Sequence, residues 1–202
     1  MEQETQLIVP RMPVWTLVIC AFALITFIFP QIGNLLIYER TAIIHGEFWR
    51  LLSGNLVHFS VTHLVYNLST CLIVGTVIEL RGYRFFPVLC IFSSLLIGIA
   101  LFVLEPELYL YAGLSGVVSA AVTYLCLHGL EEKGVWRWLC AATLAGLTAK
   151  TVIELGFGSS FMLLMSDENF VPVPLSHLAG IVAALLLFFF LRMTSPLRRS
   201  IS

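Results

Sequence analysis

The residues best suited to chemistry in this sequence form the stretch Gly113-Leu114-Ser115-Gly116, in which a serine lies between two glycines. A loop glycine followed by a helix that begins at the serine would leave the Ser115 hydroxyl accessible and its backbone N–H without an intrahelical acceptor. Such a position suits a nucleophile with an oxyanion site beside it. The alternative is structural, because glycine and serine are also common where membrane helices pack closely.

The composition indicates an all-α polytopic membrane protein. Hydrophobic residues make up 59% of the 202 residues and charged residues 11%, and the mean hydropathy is +0.96. Soluble domains carry about 25% charged residues. We therefore expect a single membrane domain over residues 1–202, and the length gives room for about six transmembrane helices. The net charge of −1 and the lack of a basic stripe give no indication of nucleic-acid binding.

Apolar runs bounded by polar or charged residues predict where the six helices lie. The helices are expected at residues 14–30, 60–80, 85–104, 115–130, 135–157 and 176–191. The stretch 31–55 is too polar to span a membrane and too apolar for a free linker, so it is expected to lie at the membrane interface. The fourth helix is short and begins at Ser115.

The distribution of basic residues predicts the orientation in the membrane. With six helices, the N-terminal tail, two connections and the C-terminal segment share one side, which holds eight basic residues against two on the other side. The eight are Arg11, Arg81, Arg84, Lys133, Arg137, Arg192, Arg198 and Arg199, and the two are Arg40 and Arg50. Loops on the cytoplasmic side of a membrane protein carry an excess of lysine and arginine. Both termini are therefore predicted to be cytoplasmic, with Ser115 nearer the outer face.

Polar residues of three separate helices are expected at one depth in the membrane. Helical rise puts Ser115, His177 and Asn67 roughly 21–24 Å from the charged residues that end their helices. Polar side chains at such a depth are costly unless they face a cavity or each other. His63 lies one turn before Asn67, on the same helix face. A lone membrane histidine or asparagine is often only a helix–helix hydrogen-bonding group, but the shared depth predicts a nucleophile, a base and oxyanion donors that converge.

With these residues in place, the chain resembles the rhomboid family of intramembrane serine proteases over residues 45–190. Four motifs match in the family's order. They are Phe48-Trp49-Arg50 for the Trp-Arg of the first loop, His58 to Asn67 for the His-x4-His-x3-Asn of the second helix, Gly113-Leu-Ser115-Gly for GxSG, and Ser176-His177-Leu-Ala-Gly180 for the His-x-x-Gly of the last helix.

The resemblance implies a role for each matching residue. Ser115 would be the nucleophile and His177 its general base, a dyad without a third carboxylate. His63, Asn67 and the Ser115 backbone N–H would form the oxyanion hole. The implied supporting residues are Gly113, Gly116, Gly180, His58, Trp49 and Arg50. Gly180 would allow the fourth and sixth helices to approach.

Two positions depart from the family pattern. Many rhomboids have an aromatic residue where this chain has Ser119, and that residue packs against the catalytic histidine. Another group must therefore orient His177. The second small residue of the last helix is Ala184, where glycine is common.

Lys150 and Glu154 form a possible substrate-binding pair. Their i, i+4 spacing lets them pair along one helix face, and ionisable residues inside a membrane indicate function by default. Our hypothesis is that Glu154, oriented by Lys150, holds substrate or an amine acceptor near Ser115. The alternative is a pair that only stabilises the fifth helix.

The chain is also similar to rhombosortases, bacterial rhomboid relatives that process proteins with a C-terminal Gly-Gly, a transmembrane helix and a basic tail. This similarity rests on Tyr111 to Gly116 and on the Ala149-Lys150-x3-Glu154 stretch. It implies a bacterial inner-membrane protease whose site opens to the periplasm, with a membrane-anchored protein substrate that has a small-residue cleavage site, and with lipid as the other partner. Water or an amine could resolve the acyl-enzyme.

Three other functions are compatible with the pattern. The chain could be a general rhomboid protease of single-span proteins, or an inactive rhomboid-like scaffold, although intact Ser115 and His177 disfavour the latter. A small transporter is disfavoured because the two halves show no repeat. No metal or organic cofactor is expected, because the histidines lack a matching set of cysteine or carboxylate partners. The sequence does not fix the oligomeric state.

Overall fold

The computed structural model describes residues 12–157 and 173–194. These residues form helices and one short β ribbon. The elements are α1 Val14–Ile28, α2 Pro30–Leu36, β1 Tyr38–Glu39, α3 Arg40–Ile44, α4 Arg50–Ser53, a 3₁₀ turn Gly54–Leu56, α5 Val61–Leu80, α6 Phe86–Leu104, β2 Leu110–Tyr111, α7 Ser115–Gly129, α8 Val135–Phe157 and α9 Pro174–Thr194. The structure is therefore mainly helical, as the composition predicted.

Four helices in the described ranges are long and apolar enough to cross a membrane, namely α5, α6, α8 and α9. A fifth span is counted if α1 and α2 are taken together, although the two are bent by 111° at their junction. The shorter apolar helix α7 has 15 residues, which corresponds to about 22 Å. The count by length and composition is thus four or five, and six transmembrane helices remain a prediction.

The first predicted helix ends two residues early. Phe29 has φ −111° and ψ 90°, an extended conformation, and α2 begins at Pro30. Proline disfavours the helical conformation of the residue before it and has no N–H to continue the hydrogen-bond ladder. The chain therefore turns at this point and enters the semi-polar stretch.

The semi-polar stretch is fixed to the segment that leads into α7. Strands β1 and β2 pair antiparallel, with Tyr38 opposite Tyr111 and Glu39 opposite Leu110. Arg50 donates from Nη1 to the carbonyl oxygens of Asn34 and Ile37, at 2.9 and 2.8 Å. These contacts fix the conformation of the semi-polar stretch. The strand pairing also restrains Leu110 and Tyr111, just before α7.

The side chains of Trp49 and Arg50 both contact other residues of this same stretch. Trp49 donates from Nε1 to the Leu35 carbonyl oxygen at 3.1 Å. Arg50 also pairs with Glu47, with Nε 2.6 Å from Oε2. Neither contact involves a catalytic candidate, so both side chains act on the scaffold.

Helix α7 lies in the centre of the described structure and packs against α5, α6, α8 and α9. Its contact with α9 is made by backbone. A Cβ atom built at Gly180 would lie 2.0 Å from the Gly116 carbonyl oxygen, and one at Gly116 would lie 2.7 Å from the Ser176 carbonyl oxygen. Only glycine permits this approach, which the sequence predicted for Gly180.

Substitution of Gly180 by alanine should force α7 and α9 apart. Overpacking of this kind costs about 1–3 kcal/mol, so the thermal unfolding midpoint of the detergent-solubilised protein should fall. Gly146 on α8 is the matched control, because a Cβ there meets nothing within 4 Å. Gly146→Ala should leave the midpoint unchanged or slightly higher. An unchanged midpoint for Gly180→Ala would contradict the backbone contact.

Candidate active site

Ser115 is the first residue of α7, directly after a loop that only glycine can complete. Gly113 has φ +144°, and a Cβ atom there would lie 2.5 Å from Cε1 of His63. Both the backbone conformation and the space beside the ring therefore require glycine. As the first helical residue, Ser115 has a backbone N–H without an intrahelical acceptor. Its hydroxyl and its amide both lie at the start of a central helix.

His177 of α9 lies within hydrogen-bonding distance of Ser115. Its Nε2 is 3.1 Å from the serine Oγ, and the residue is buried. The close approach of the α7 and α9 backbones explains this contact. Gly116 lies against the Ser176 carbonyl group, and Ser115 and His177 are the next residues to these two in sequence. The serine hydroxyl can donate to Nε2, the arrangement required for a histidine general base.

Glu154 of α8 lies on the other side of the imidazole ring. Its Oε2 is 2.7 Å from His177 Nδ1, and its Oε1 is 2.6 Å from Lys150 Nζ. The carboxyl is fully buried. The sequence interpretation, a dyad without a third carboxylate, did not include this contact, which arises because α8 turns Glu154 towards α9. The predicted i, i+4 pairing of Lys150 and Glu154 is confirmed.

The expected contact of Glu154 with substrate is not favoured by this geometry. One carboxylate oxygen faces Lys150 and the other faces His177, and the side chain has no exposed surface. Lys150 has 37% of its side chain exposed. The four groups from Lys150 to Ser115 thus form one continuous chain of polar contacts.

Ser119 does not take the place of the aromatic residue expected beside the histidine. Its hydroxyl donates to the Ser115 carbonyl oxygen at 2.9 Å, one turn back on the same helix. Ala184 is fully buried on α9, where a small side chain fits the packed interior. The His177 ring hydrogen-bonds to Glu154 and Ser115, and neither bond involves the side chain of Ser119.

A second polar cluster lies at the start of α5. Asn67 Nδ2 and His58 Nε2 are 3.1 Å apart, and the rings of His58 and His63 meet edge to face with centroids 5.1 Å apart. Gly113 brings the His63 ring against the loop before Ser115. His58 thus contacts both Asn67 and His63, and His63 lies against the loop before Ser115.

His58, one of the supporting residues that the resemblance implies, is buried beside Asn67. Burial, together with neighbouring His63, lowers the pKa of His58 to about 3. The ring is therefore neutral near pH 7, and its Nε2 can accept a hydrogen bond from the Asn67 amide. Since that amide nitrogen carries two hydrogens, one is left for another acceptor.

Tyr111 supports the nucleophile loop and was not among the predicted site residues. Its buried hydroxyl donates to the Gly113 carbonyl oxygen at 3.0 Å, and the Gly113 N–H approaches the Gly54 carbonyl oxygen at 3.4 Å. A tyrosine two residues before a glycine carries no sequence signal for this contact. The β1–β2 pairing places Tyr111 opposite Tyr38, and the two rings meet edge to face.

The described residues hold no group of three or more histidine, cysteine, aspartate or glutamate side chains that could bind a metal ion. The chemistry available to this arrangement is nucleophilic. A serine hydroxyl, a histidine acceptor and backbone N–H donors at a helix start are the groups needed for acyl transfer.

Comparison with known proteins matches residues 45–194 to the rhomboid domain. The chain is 27% identical to the rhomboid protease GluP of Bacillus subtilis over 145 residues, which are 71% of this chain and 26% of that protein. It is 33% identical to the rhomboid protease GlpG of Serratia proteamaculans over 144 residues, 71% of this chain and 48% of the relative. It is also 29% identical to the putative rhomboid protease YdcA of B. subtilis over 147 residues, 72% and 68% of the two chains. The chain thus spans 26% and 48% of the length of the first two relatives.

Replacing Tyr111 by phenylalanine removes the donor to the Gly113 carbonyl and leaves that buried acceptor unpaired. Such a loss costs about 1–3 kcal/mol, so the unfolding midpoint should fall. Tyr109 is the matched control, since its side chain is exposed. Tyr109→Phe should change stability by less than about 0.5 kcal/mol. Equal midpoints for the two variants would contradict the proposed support of the loop.

Proposed function

Since the chain belongs to the rhomboid family, we propose that it is an intramembrane serine protease with Ser115 as nucleophile and His177 as general base. One observation carries the proposal: Ser115 Oγ lies 3.1 Å from His177 Nε2 at the start of the central helix. A scaffold without activity would have no need for this contact. The separation is within the 2.6–3.2 Å range expected of a nucleophile and its base.

The proposed reaction has two acyl-transfer steps. His177 Nε2 takes the proton of the Ser115 hydroxyl as Oγ attacks the scissile carbonyl. The tetrahedral intermediate collapses when the same Nε2 gives that proton to the leaving amine. A water molecule then attacks the acyl-enzyme, with His177 again as base, and the proton returns to Ser115 as the acid product leaves.

The oxyanion would be bound from two sides. The Ser115 backbone N–H is available at the helix start, and the amide of Asn67 and the ring of His63 come from α5. Two contacts support the proposal that α5 supplies these donors. The His63 ring lies against Gly113, and the Asn67 amide bonds to His58. Loss of one such donor lowers kcat by about 10²–10³-fold in other serine proteases.

The proposed orientation places both termini in the cytoplasm and the site towards the periplasm of a bacterial inner membrane. Charged residues at the far end of the helices support it. Arg81 pairs with Glu132 at 2.7 Å, and Arg192 pairs with Glu131. These groups cluster at the end of α7 opposite Ser115, on the side that the basic residues predict to be cytoplasmic.

The N-terminal end of α1 lies on that same side. Glu79, near the end of α5, accepts from the backbone N–H and the hydroxyl of Thr16, both at 2.7 Å. The start of α1 is thereby joined to the end of α5. In this orientation α1 and α7 would complete the six transmembrane helices.

The proposed substrates are membrane-anchored proteins with a Gly-Gly segment before a single transmembrane helix and a basic tail. The similarity of residues 111–116 and 149–154 to rhombosortases supports this class. Glycine also favours unwinding of a substrate helix, because it is a poor helix former. The alternative is a general protease of single-span proteins, which the similarity to GluP and GlpG favours.

Ser115→Ala and His177→Ala should each abolish cleavage of a co-expressed reporter, because each removes one half of the proton transfer. Asn67→Ala should lower the rate by about 10²-fold through loss of an oxyanion donor. The measurement is product formation by immunoblot, normalised to enzyme level in the membrane. Wild-type cleavage by Ser115→Ala would overturn the protease assignment.

Two matched reporters test the substrate class. One carries Gly-Gly before its transmembrane helix, and the other carries Leu-Leu at the same place. Two glycines weaken a helix by about 2 kcal/mol relative to good helix formers, so the Gly-Gly reporter should be cleaved at least about tenfold faster. Mass spectrometry of the new C-terminus identifies a free carboxylate, from water, or an amide, from an amine acceptor. Equal rates for the two reporters would favour the general protease.

A further inference from the structure

We propose that Glu154 is a positioning residue that completes a Ser115–His177–Glu154 triad, with Lys150 as the counter-ion of its carboxylate. The inference rests on the proposed function, because it assigns a third member to the same catalytic site. It differs from the dyad that the sequence and the family resemblance imply. The evidence is the position of the buried carboxylate between an imidazole and an ammonium group.

The first role of Glu154 is to fix which ring nitrogen of His177 carries the proton. A neutral imidazole has one N–H, and the hydrogen bond at one nitrogen decides the state of the other. With Oε2 at 2.7 Å from Nδ1, the carboxylate holds the proton on Nδ1. Nε2 then presents its lone pair to the Ser115 hydroxyl at 3.1 Å. The opposite tautomer could not accept the serine proton.

The second role is electrostatic. Transfer of the serine proton creates an imidazolium cation in a buried position, where a charge interacts more strongly with its neighbours than in water. Glu154 supplies a fixed negative charge in direct contact with that cation. The carboxylate keeps its charge throughout, while the proton moves from Ser115 Oγ to His177 Nε2 and then to the leaving amine.

Lys150 makes this buried carboxylate tolerable in the resting enzyme. A lone carboxylate in an apolar interior is strongly disfavoured unless it is paired. Lys150 Nζ lies 2.6 Å from Oε1, and its partly exposed side chain can keep contact with polar surroundings. In the resting site the positive charge of Lys150 balances the negative charge of Glu154. Proton transfer then creates the His177 imidazolium and the oxyanion, so the net charge of the site stays zero at both stages.

A purely structural ion pair would look different. Helical i, i+4 pairs form readily on exposed faces, where neither partner is removed from water. Here the carboxylate is fully buried and its second oxygen is directed at the candidate general base. Ser119, at the position where an aromatic ring would orient the histidine, is bonded to the Ser115 carbonyl instead. The site therefore depends on Glu154 for the orientation of His177.

The decisive variant is Glu154→Gln, which keeps the shape of the side chain and removes its charge. Purified protein in liposomes is assayed with a fluorogenic transmembrane reporter, and Ser115 is titrated with a fluorophosphonate probe. We expect kcat and the labelling rate to fall together by at least about 100-fold, as for the carboxylate of other serine protease triads. KM should stay within about twofold, because the proposed role of the buried carboxylate acts through His177 and not through the substrate.

Three further variants separate positioning from structure. Glu154→Asp keeps the charge and should retain more activity than Glu154→Gln. Lys150→Met should lower kcat and Lys150→Arg should restore it, because arginine keeps the counter-ion. Glu79→Gln is the matched control, a carboxylate-to-amide change at the far end of α5 where the carboxylate bonds to Thr16. It should leave kcat unchanged.

The outcomes distinguish this inference from the function on which it rests. If Ser115→Ala is inactive while Glu154→Gln has wild-type kcat, the triad is overturned and the protease remains. If Glu154→Gln and Glu154→Asp lose activity equally, together with a lowered unfolding midpoint, the residue is only structural and the triad is overturned. If Ser115→Ala cleaves normally, the protease assignment is overturned, and the triad is overturned with it. A selective loss of kcat with an unchanged midpoint supports the triad.

Discussion

The backbone contact between α7 and α9 is the constraint on which the site depends. Gly116 and Gly180 leave no space for a Cβ atom, so the two helices approach to the limit set by their carbonyl oxygens. Ser115 lies one residue before Gly116 and His177 three residues before Gly180. The point of closest approach is therefore also the point where the hydroxyl meets the imidazole. Larger side chains at this crossing would separate the helices and move the Ser115 hydroxyl away from the imidazole of His177.

This close packing brings polar groups into an apolar interior, where each needs a partner. Glu154 illustrates the solution, since its two oxygens are divided between Lys150 and His177. The Ser119 hydroxyl bonds to the backbone of its own helix. The amide of Asn67 on α5 bonds to the ring of His58, which lies just before that helix. Groups that are held in this way keep one geometry, and a preorganised geometry is what electrostatic stabilisation of a transition state requires.

Much of this arrangement could be predicted from the sequence. Helical rise from charged residues gave Ser115, His177 and Asn67 a common depth, and Lys150 and Glu154 were placed on one face by their spacing. Helix periodicity cannot say which neighbour that face meets. The contact of Glu154 with His177 depends on the rotation of α8 against α9, which no local pattern encodes. A two-residue ribbon such as β1–β2 is likewise too short to show the alternation that identifies strands.

The shortness of α7 links the fold to the chemistry. Its length of about 22 Å is less than the hydrocarbon thickness of about 30 Å, so if its charged end lies at one surface, Ser115 lies below the other. The chain before Ser115 must then descend into the membrane, where irregular backbone is tolerated only if it is buried in protein or lines a cavity. The β1–β2 ribbon, the Tyr111 hydroxyl and the Gly54 carbonyl provide that burial. Because the N–H groups at the helix start lack intrahelical acceptors, they need a polar partner, and under the proposed function a scissile carbonyl or a water molecule would supply it.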